Sequence, residues 1–304
     1  MSKHVLITGA SGFLGKIIVD YLSQPALDYC VDTLGRSTSA TYNTDLSNDV
    51  PALEKKYNII IHAAGKAHVV PTSAAEEAAF FNVNVEGTKN LCKAFTTTEK
   101  PDAFIFISTV AVYGVDAGQL ISEDAPLNGS TPYARSKIMA EEWLQEWAIQ
   151  NQVQLTILRL PLIAGPNPPG NLGDMLRGIK SGHYFSIGKA DARKSVVWAA
   201  DIAAVIPIVA KVGGVFNLTD RHHPSFAELE TCIAAALHRK SPKRIPLVAA
   251  QSLAAFGDLV GKRFPINSHK LRKILSPLTF DDRKAGKLIQ WNPSNVIEKL
   301  PTIL

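Results

Sequence analysis

The 304-residue chain has little cysteine: only Cys30, Cys92 and Cys232. They lie far apart and without metal-ligand spacing, which argues against a disulfide framework and against a cysteine-built metal centre. Buried free thiols in a reducing compartment are expected. No apolar run reaches the ~18–20 residues that a membrane-spanning helix needs, so no stable membrane insertion is expected. The first residues lead directly into a β-type run, so neither a signal peptide nor a location outside the cytoplasm is expected. An excess of one charge is also missing: 32 Lys and Arg stand against 27 Asp and Glu, a net charge of +5. The cations are spread out, except in Arg239-Lys-Ser-Pro-Lys-Arg244. No aromatics interleave with that run, which argues against a nucleic-acid partner and for a solvated loop. A small anionic substrate suits the mild charge. Internal repeats and low-complexity segments are absent. The remaining balance, 46% hydrophobic and 19% charged, is that of a globular enzyme.

Among the features that are present, a turn comes first. His4-Val-Leu-Ile-Thr8 is a short β-type run, followed by glycines at 9, 12 and 15 and by apolar residues at helical spacing from Phe13 to Leu22. That pattern is strand, tight turn, helix. Gly9 permits the turn, Gly12 lets backbone approach a pyrophosphate, and Gly15 permits close helix–strand packing. The N–H groups at the helix start would hold the phosphates, which makes Ser11, Phe13 and Leu14 further candidates for dinucleotide binding.

A second pattern lies in Pro132-Tyr-Ala-Arg-Ser-Lys137, read as a helix with proline in its first turn. Tyr133 and Lys137 are four apart and share a face. A tyrosine with its ordinary pKa near 10 is a poor base at neutral pH. A neighbouring ammonium would favour the phenolate, and an oxidised nicotinamide would add a second positive charge.

Apolar β-type runs at 4–8, 30–34, 58–62, 103–108 and 154–159 alternate with helical segments near 13–23, 72–98 and 132–150. This alternation predicts an α/β fold, a doubly wound parallel sheet with helices on both faces. After Pro161 the pattern becomes irregular. Residues 1–165 are expected to form a dinucleotide domain, with 195–215 returning to it. Residues 166–194 and 216–304 are expected to form a smaller C-terminal lobe at the carboxyl ends of the strands. The apolar stretch from Pro246 to Gly261, interrupted by Gln251, Ser252 and Asp258 and followed by Lys262-Arg263, is expected to be a core helix of that lobe rather than a segment lying on a membrane.

The chain resembles the extended short-chain dehydrogenase/reductase family, in its nucleotide-sugar epimerase and reductase branch. The resemblance runs over nearly all of the chain. It is carried in order by the glycine turn, Asp45-Leu46, His62-Ala-Ala-Gly65, Asn84-Val-Glu-Gly-Thr88, Ser108-Thr-Val-Ala-Val-Tyr-Gly114, Pro132 to Lys137, and Arg159-Leu-Pro-Leu-Ile-Ala-Gly-Pro166. It implies a Rossmann-type fold, hydride transfer at C4 of a nucleotide-diphosphate hexose, and a Thr109–Tyr133–Lys137 catalytic group. Thr109 would hydrogen-bond the reacting sugar oxygen, Tyr133 would exchange its proton, and Lys137 would also hold the nicotinamide ribose. The alternative for Thr109 is a strand-end hydroxyl that caps a turn. Asp45 and Leu46 would contact adenine. Ala63, Ala64 and Gly65 would line the pyrophosphate and ribose, Asn84 would support the site, and Ser108 and Pro161 would complete the cofactor set. Asn171, with Arg193 or Lys194, would hold the diphosphate of the substrate. A homodimer is left open.

The end of the second strand bears on the choice of dinucleotide. Gly35 stands where an acid would bind the ribose 2′-hydroxyl, and Arg36 follows; a guanidinium pairs with a 2′-phosphate. NADP is therefore preferred, with NAD second, and Asp32 is the alternative ribose ligand. Arg36 also tilts the reading from 4-epimerase towards 4-keto reductase. The sugar 4,6-dehydratases of the family need an Asp–Glu pair after the threonine. Val110 and Ala111 stand there and transfer no proton. Two other readings are a reductase of a non-nucleotide carbonyl, favoured if the diphosphate grip is missing, and a dinucleotide-sensing protein, against which the Tyr–Lys pair argues.

Overall fold

A computed structural model describes residues 2–67, 69–96, 99–261 and 266–304. The first part of the chain runs β1 (Lys3–Thr8), α1 (Phe13–Leu22), β2 (Tyr29–Gly35), β3 (Tyr42–Asn43), β4 (Ile59–His62), α2 (Ala74–Phe81), α3 (Gly87–Lys93) and β5 (Ala103–Thr109). It continues through β6 (Gly118–Ile121), α4 (Pro132–Asn151), β7 (Gln154–Leu160), β8 (Leu162–Ala164), α5 (Gly170–Ser181), β9 (Phe185–Ile187), β10 (Val196–Trp198), α6 (Ala199–Val212) and β11 (Gly214–Asn217). The last part holds α7 (Phe226–Ala236), β12 (Lys243–Ile245), α8 (Leu247–Val260), α9 (Ser268–Leu275), β13 (Leu278–Phe280), α10 (Arg283–Ile289) and α11 (Val296–Lys299).

Seven strands form one parallel sheet in the order β11-β7-β5-β4-β1-β2-β3. Its central strands β1, β4 and β5 read as continuous apolar runs because both of their faces are covered. Val5, Ile7, Ile59 and Ile61 pack on one face against Ile18 and Leu22 of α1 and Ile202 and Ile206 of α6. Leu6, Ile60, Phe104 and Phe106 pack on the other against Leu91 of α3 and Leu144 of α4. The chain winds outward from β1 to β3 and then returns to place β4 on the other side of β1. The crevice at the carboxyl ends of β1 and β4 is thus the topological switch point, where such sheets bind ligands.

The remainder differs from expectation in several places. β11 extends the sheet to Asn217, and Phe216, Leu218, Ala285, Ile289 and Trp291 join the core against α1 and α6. Part of the stretch assigned to the small lobe therefore packs on the sheet. A separate core joins α5, α7, β8, β10 and α11. The helix read over 72–98 is broken by a wide π turn at Asn82–Glu86. Cys30 is exposed, because it lies on β2 where no helix covers it, while Cys92 is buried and Cys232 half-buried. The 239–244 run is not all loop: Lys243 and Arg244 begin β12, which pairs with β9. α8 is no core helix. It buries only Ala250, Ala254 and Gly257 and turns its large apolar residues outward. Lys262-Arg263, the cations read after it, lie outside the described residues. Among the described residues no helix is long and apolar enough to cross a membrane.

Candidate active site

At the carboxyl end of β1 the chain turns at Gly9, where φ is +75°. A Cβ there would stand 2.6 Å from the Ala63 carbonyl carbon and the Ala64 nitrogen, and a Cβ at Gly15 would stand 2.1 Å from the Gly9 oxygen. Both glycines are thus sterically required, one by the neighbouring β4 turn and one by its own turn. The Gly12 N–H donates to the Gly9 oxygen at 2.9 Å, and α1 follows with Gly12 as an N-cap that has no side chain to offer. Its first N–H groups therefore have no side-chain partner, and the helix dipole favours an anion there. This backbone cradle fits a dinucleotide pyrophosphate. Ser11 is exposed at its rim. Leu14 is buried in the core, so only its backbone can take part. The Phe13 ring lies against Gly165.

The turn after β4 is locked by a residue to which the sequence reading gave no role. The Thr8 hydroxyl accepts from the Ala64 N–H at 3.1 Å and lies 2.6 Å from His62 Nδ1. His62 Nε2 lies 2.9 Å from the Thr88 hydroxyl, which donates to the Asn84 carbonyl at 2.7 Å. Thr88 can then only accept from Nε2–H, and Nδ1 accepts from Thr8, which assigns neutral imidazole. Burial and the Lys137 ammonium agree, lowering the His62 pKa to about 3. The continuous apolar run of β4 hid this residue, since a strand-end histidine carries no spacing signal.

Asn84 sits in the π turn, and such turns recur at functional sites. Its amide nitrogen donates to the Ser136 hydroxyl at 2.9 Å and to the Lys66 carbonyl at 3.1 Å, and its oxygen accepts from the Lys66 N–H at 2.7 Å. The Ser136 hydroxyl in turn donates to the Tyr133 carbonyl. The side chain thereby ties the loop after Gly65 to the first turn of α4.

Thr131 caps α4, and Pro132 occupies its first turn, which fixes where Tyr133 emerges. Its ring packs against Phe80 at 6.3 Å. Burial raises the Tyr133 pKa, and a hydrogen bond with Thr109 offsets part of the rise. Thr109 ends β5, and its hydroxyl also accepts from the Ala111 N–H at 3.2 Å. The turn-capping reading of Thr109 is thus seen directly, and the same hydroxyl lies on the side of Tyr133. Lys137 lies one turn further along α4, buried, with Nζ donating to the Ile107 carbonyl at 2.8 Å and standing 4.3 Å from the Phe106 ring centre. A Cβ on Gly65 would lie 3.4 Å from Nζ. Burial lowers the Lys137 pKa to about 8, against the pull of Glu141. The expected lowering of the tyrosine by the ammonium is not found: burial sets the direction, only Thr109 opposes it, and Lys137 is directed at a carbonyl.

Ser108 is placed differently from expectation. Its hydroxyl donates to Glu141 beneath the sheet end, so its side chain is not offered to a cofactor. Glu141 pairs with Arg159 at 2.8 Å, both of them buried. Arg159 also donates to the Tyr113 hydroxyl at 3.2 Å.

Near the end of β2, Gly35 has open space at its Cβ position. Arg36 is exposed and close enough to Asp45 to lower its pKa, although the larger cause is the hydrogen bond from Ser47. Asp32, the alternative ribose ligand, has its Oδ2 engaged by Lys55 at 2.7 Å and by the Tyr57 hydroxyl at 2.7 Å. Leu46 is buried, its carbonyl held by Asn90. Pro161 joins β7 to β8, and Asn171 is exposed in the first turn of α5. The two cations expected at the diphosphate are engaged elsewhere. Arg193 donates to the carbonyls of His222 and His223 and pairs with Glu228. Lys194 donates to the carbonyls of Lys273 and Ser276. Val110 and Ala111 occupy a short 3₁₀ turn beside Thr109.

The sequence pattern of the NAD dependent epimerase/dehydratase family matches residues 5–218. An N-acetyl-α-D-glucosaminyl-diphospho-ditrans,octacis-undecaprenol 4-epimerase of Escherichia coli O157:H7 is 27% identical, over 93% of this chain and 89% of its own. The structure of a UDP-glucose 4-epimerase with UDP-glucose from Thermotoga maritima superposes with a TM-score of 0.76 at 18% identity, covering 99% of this chain and 96% of that one. The structure of RMD from Pseudomonas aeruginosa complexed with NADPH gives 0.75 at 20% identity, covering 100% and 98%. The chain belongs to the NAD dependent epimerase/dehydratase family, and its fold is the Rossmann-type one the motifs implied.

Proposed function

We propose that this family member performs hydride transfer at C4 of a hexose joined to a diphosphate, as a 4-epimerase or a 4-keto reductase, with NADP(H) preferred over NAD(H). The observation that carries the reading is that α4 sets Tyr133 and buried Lys137 one turn apart at the carboxyl end of β5, with Lys137 Nζ donating to the Ile107 carbonyl of that strand and lying beside Gly65. A bound nicotinamide would supply the hydride exchange at the sugar carbon. Tyr133 takes the proton from the C4 hydroxyl or returns it to the ketone oxygen. Thr109 holds that oxygen in reach of Tyr133. Lys137 supplies positive charge and a donor for the nicotinamide ribose, and the cradle of Gly9, Gly12 and the α1 N-terminus holds the pyrophosphate. Arg36 pairs with a 2′-phosphate, as Gly35 leaves no acid to oppose one. The dinucleotide is assigned to residues 1–165 with the 195–215 return, and the sugar to the lobe. Both the lipid-diphosphate sugar of the first relative and a nucleotide sugar fit this chemistry.

The reading is tested by incubating the protein with NADP(H) or NAD(H) and UDP-glucose, UDP-N-acetylglucosamine or a GDP-4-keto-6-deoxyhexose, following C4 by NMR. A C4-inverted or C4-reduced product supports it. A 4-keto-6-deoxy product formed from either UDP-sugar would contradict the assignment, since Val110 and Ala111 move no proton. Because Arg193 and Lys194 are engaged within the lobe, a second reading is a reductase of a non-nucleotide carbonyl. Consumption of NADPH with a simple ketone, and no reaction with any diphosphate sugar, would favour it.

A further inference from the structure

Among the described residues, the outward face of α8 is an apolar surface that the proposed reaction leaves unused. At helical spacing Val248, Ser252, Ala255, Phe256 and Leu259 fall on one side, opposite the buried Ala250, Ala254 and Gly257. Val248 is 74% exposed and Leu259 86%. The small buried residues let α8 lie flat on α9, and this pushes its large residues out. The patch continues past the helix. Phe185 of β9 is exposed and pairs in register with Lys243 of β12, and Leu247 begins directly after that strand.

Charge decides what covers this face. The segment leading into α8 holds Arg239, Lys240, Lys243 and Arg244, all exposed and without an acid among them. The one acid on the helix, Asp258, is turned to the start of α9, where it accepts from the Ser268 N–H and hydroxyl. A second copy of the chain would bring one cationic rim against another. An apolar face beside a row of cations matches the acyl boundary and headgroups of an anionic bilayer.

We propose that α8 and the β9–β12 pair seat the protein on an anionic lipid surface, without crossing it. The inference does not rest on the identity of the substrate. It does give the active site an address: His269 and Lys273 of α9 both bind Asp116, two residues beyond Gly114, where the turn that starts at Thr109 ends. A docked α8 therefore keeps the Thr109 turn one helix away from the membrane.

The experiment is co-sedimentation of the full chain with phosphatidylcholine vesicles, with and without about one-third phosphatidylglycerol. Partitioning should be about tenfold or more greater on the anionic vesicles and should fall as salt rises, since screening weakens surface charge attraction. Val248→Glu with Leu259→Glu should abolish it on both vesicle types. Lys243→Glu with Arg244→Glu should reduce it by about tenfold or more, at about fivefold per cation. Thermal unfolding and dinucleotide binding, which these exposed sites do not touch, should match the parent chain. Equal failure of the parent chain to bind either vesicle would overturn the proposal. So would a parent dimer that the Val248→Glu/Leu259→Glu variant splits, because a second copy would then be what covers the face. Tight binding of an acidic apolar peptide with no vesicle binding would assign the surface to a protein partner instead.

Discussion

Replacing Lys137 by methionine should end turnover yet leave the dinucleotide-free protein at least as stable as its parent. Lys137 is buried, and burial brings its pKa down to about 8, well below the ordinary lysine value near 10.5. Keeping the ammonium inside the folded protein therefore costs roughly 3 kcal/mol, at about 1.4 kcal/mol for each tenfold change in proton affinity. Methionine removes that penalty and fills a similar volume. Against this stands the lost hydrogen bond to the Ile107 carbonyl, worth roughly 1.5–3 kcal/mol for a charged donor. The net expectation at pH 7 is a change between about zero and 2 kcal/mol in favour of the variant. The pH dependence makes the test sharper. Between about pH 8 and 10.5 the unfolded parent binds a proton at this site that the folded parent has released, so the parent's stability rises with pH across that window. Below pH 8 the penalty is present in full. Urea unfolding of both proteins at pH 7, 8, 9 and 10 should therefore show the parent gaining on the variant as pH rises. A flat difference across that range, or a variant less stable by more than about 1 kcal/mol at pH 7, would refute the reasoning. The catalytic cost is the second half of the argument: a cation kept in place at this expense is expected where function needs it.

Three further outcomes follow from the geometry. Tyr133→Phe should keep the fold and dinucleotide affinity, because the ring still packs on Phe80, and should lower turnover by roughly 10²–10⁴; near-parent turnover would remove the mechanism. Arg36→Ala should weaken NADP binding by about tenfold or more and NAD binding little, as read by fluorescence titration; equal losses would return the choice of dinucleotide to an open question. Arg159→Met should destabilise by roughly 3–5 kcal/mol in urea, since it leaves the Glu141 carboxylate buried without its cation; a loss under about 1 kcal/mol would show that the pair does not hold β7 to α4.

The parts of the molecule that sequence revealed are those where one physical demand acts alone. The central strands are buried on both faces, so Ile59 to Ile61 and Phe104 to Phe106 had to be apolar and read as strands. Gly9 and Gly15 are demanded by contacts with no room for a Cβ, and their spacing survives as a pattern. Tyr133 and Lys137 are one helical turn apart, so local geometry announced them. Where a second demand intervened, the reading went astray. The 72–98 helix breaks at Asn82–Glu86, where Asn84 is tied to both Lys66 and Ser136. Arg193 and Lys194 lie in the expected segment, but backbone carbonyls nearly 30 and 80 residues away engage them. α8 is apolar enough to look like core, and only its packing on Ala250, Ala254 and Gly257 shows that its larger side chains face out.

α4 shows why such partners stay hidden. Its buried face runs Ala134, Ser136, Lys137, Ala140, Glu141, Leu144, Ala148. The half nearest the sheet's carboxyl end is polar and the other half apolar, so no single hydrophobic stripe marks the helix. Each polar group on that face has a partner from another element: Ser136 with Asn84, Lys137 with Ile107, and Glu141 with Ser108 and Arg159. Those partners lie 18 to 52 residues away. An unpaired polar group at such depth would cost roughly 1–3 kcal/mol, so each is tolerable only once the sheet has formed. The first two turns of α4 are thus committed by tertiary structure rather than by local propensity. That commitment is what holds Tyr133 and Lys137 at the end of β5, where Thr109 waits.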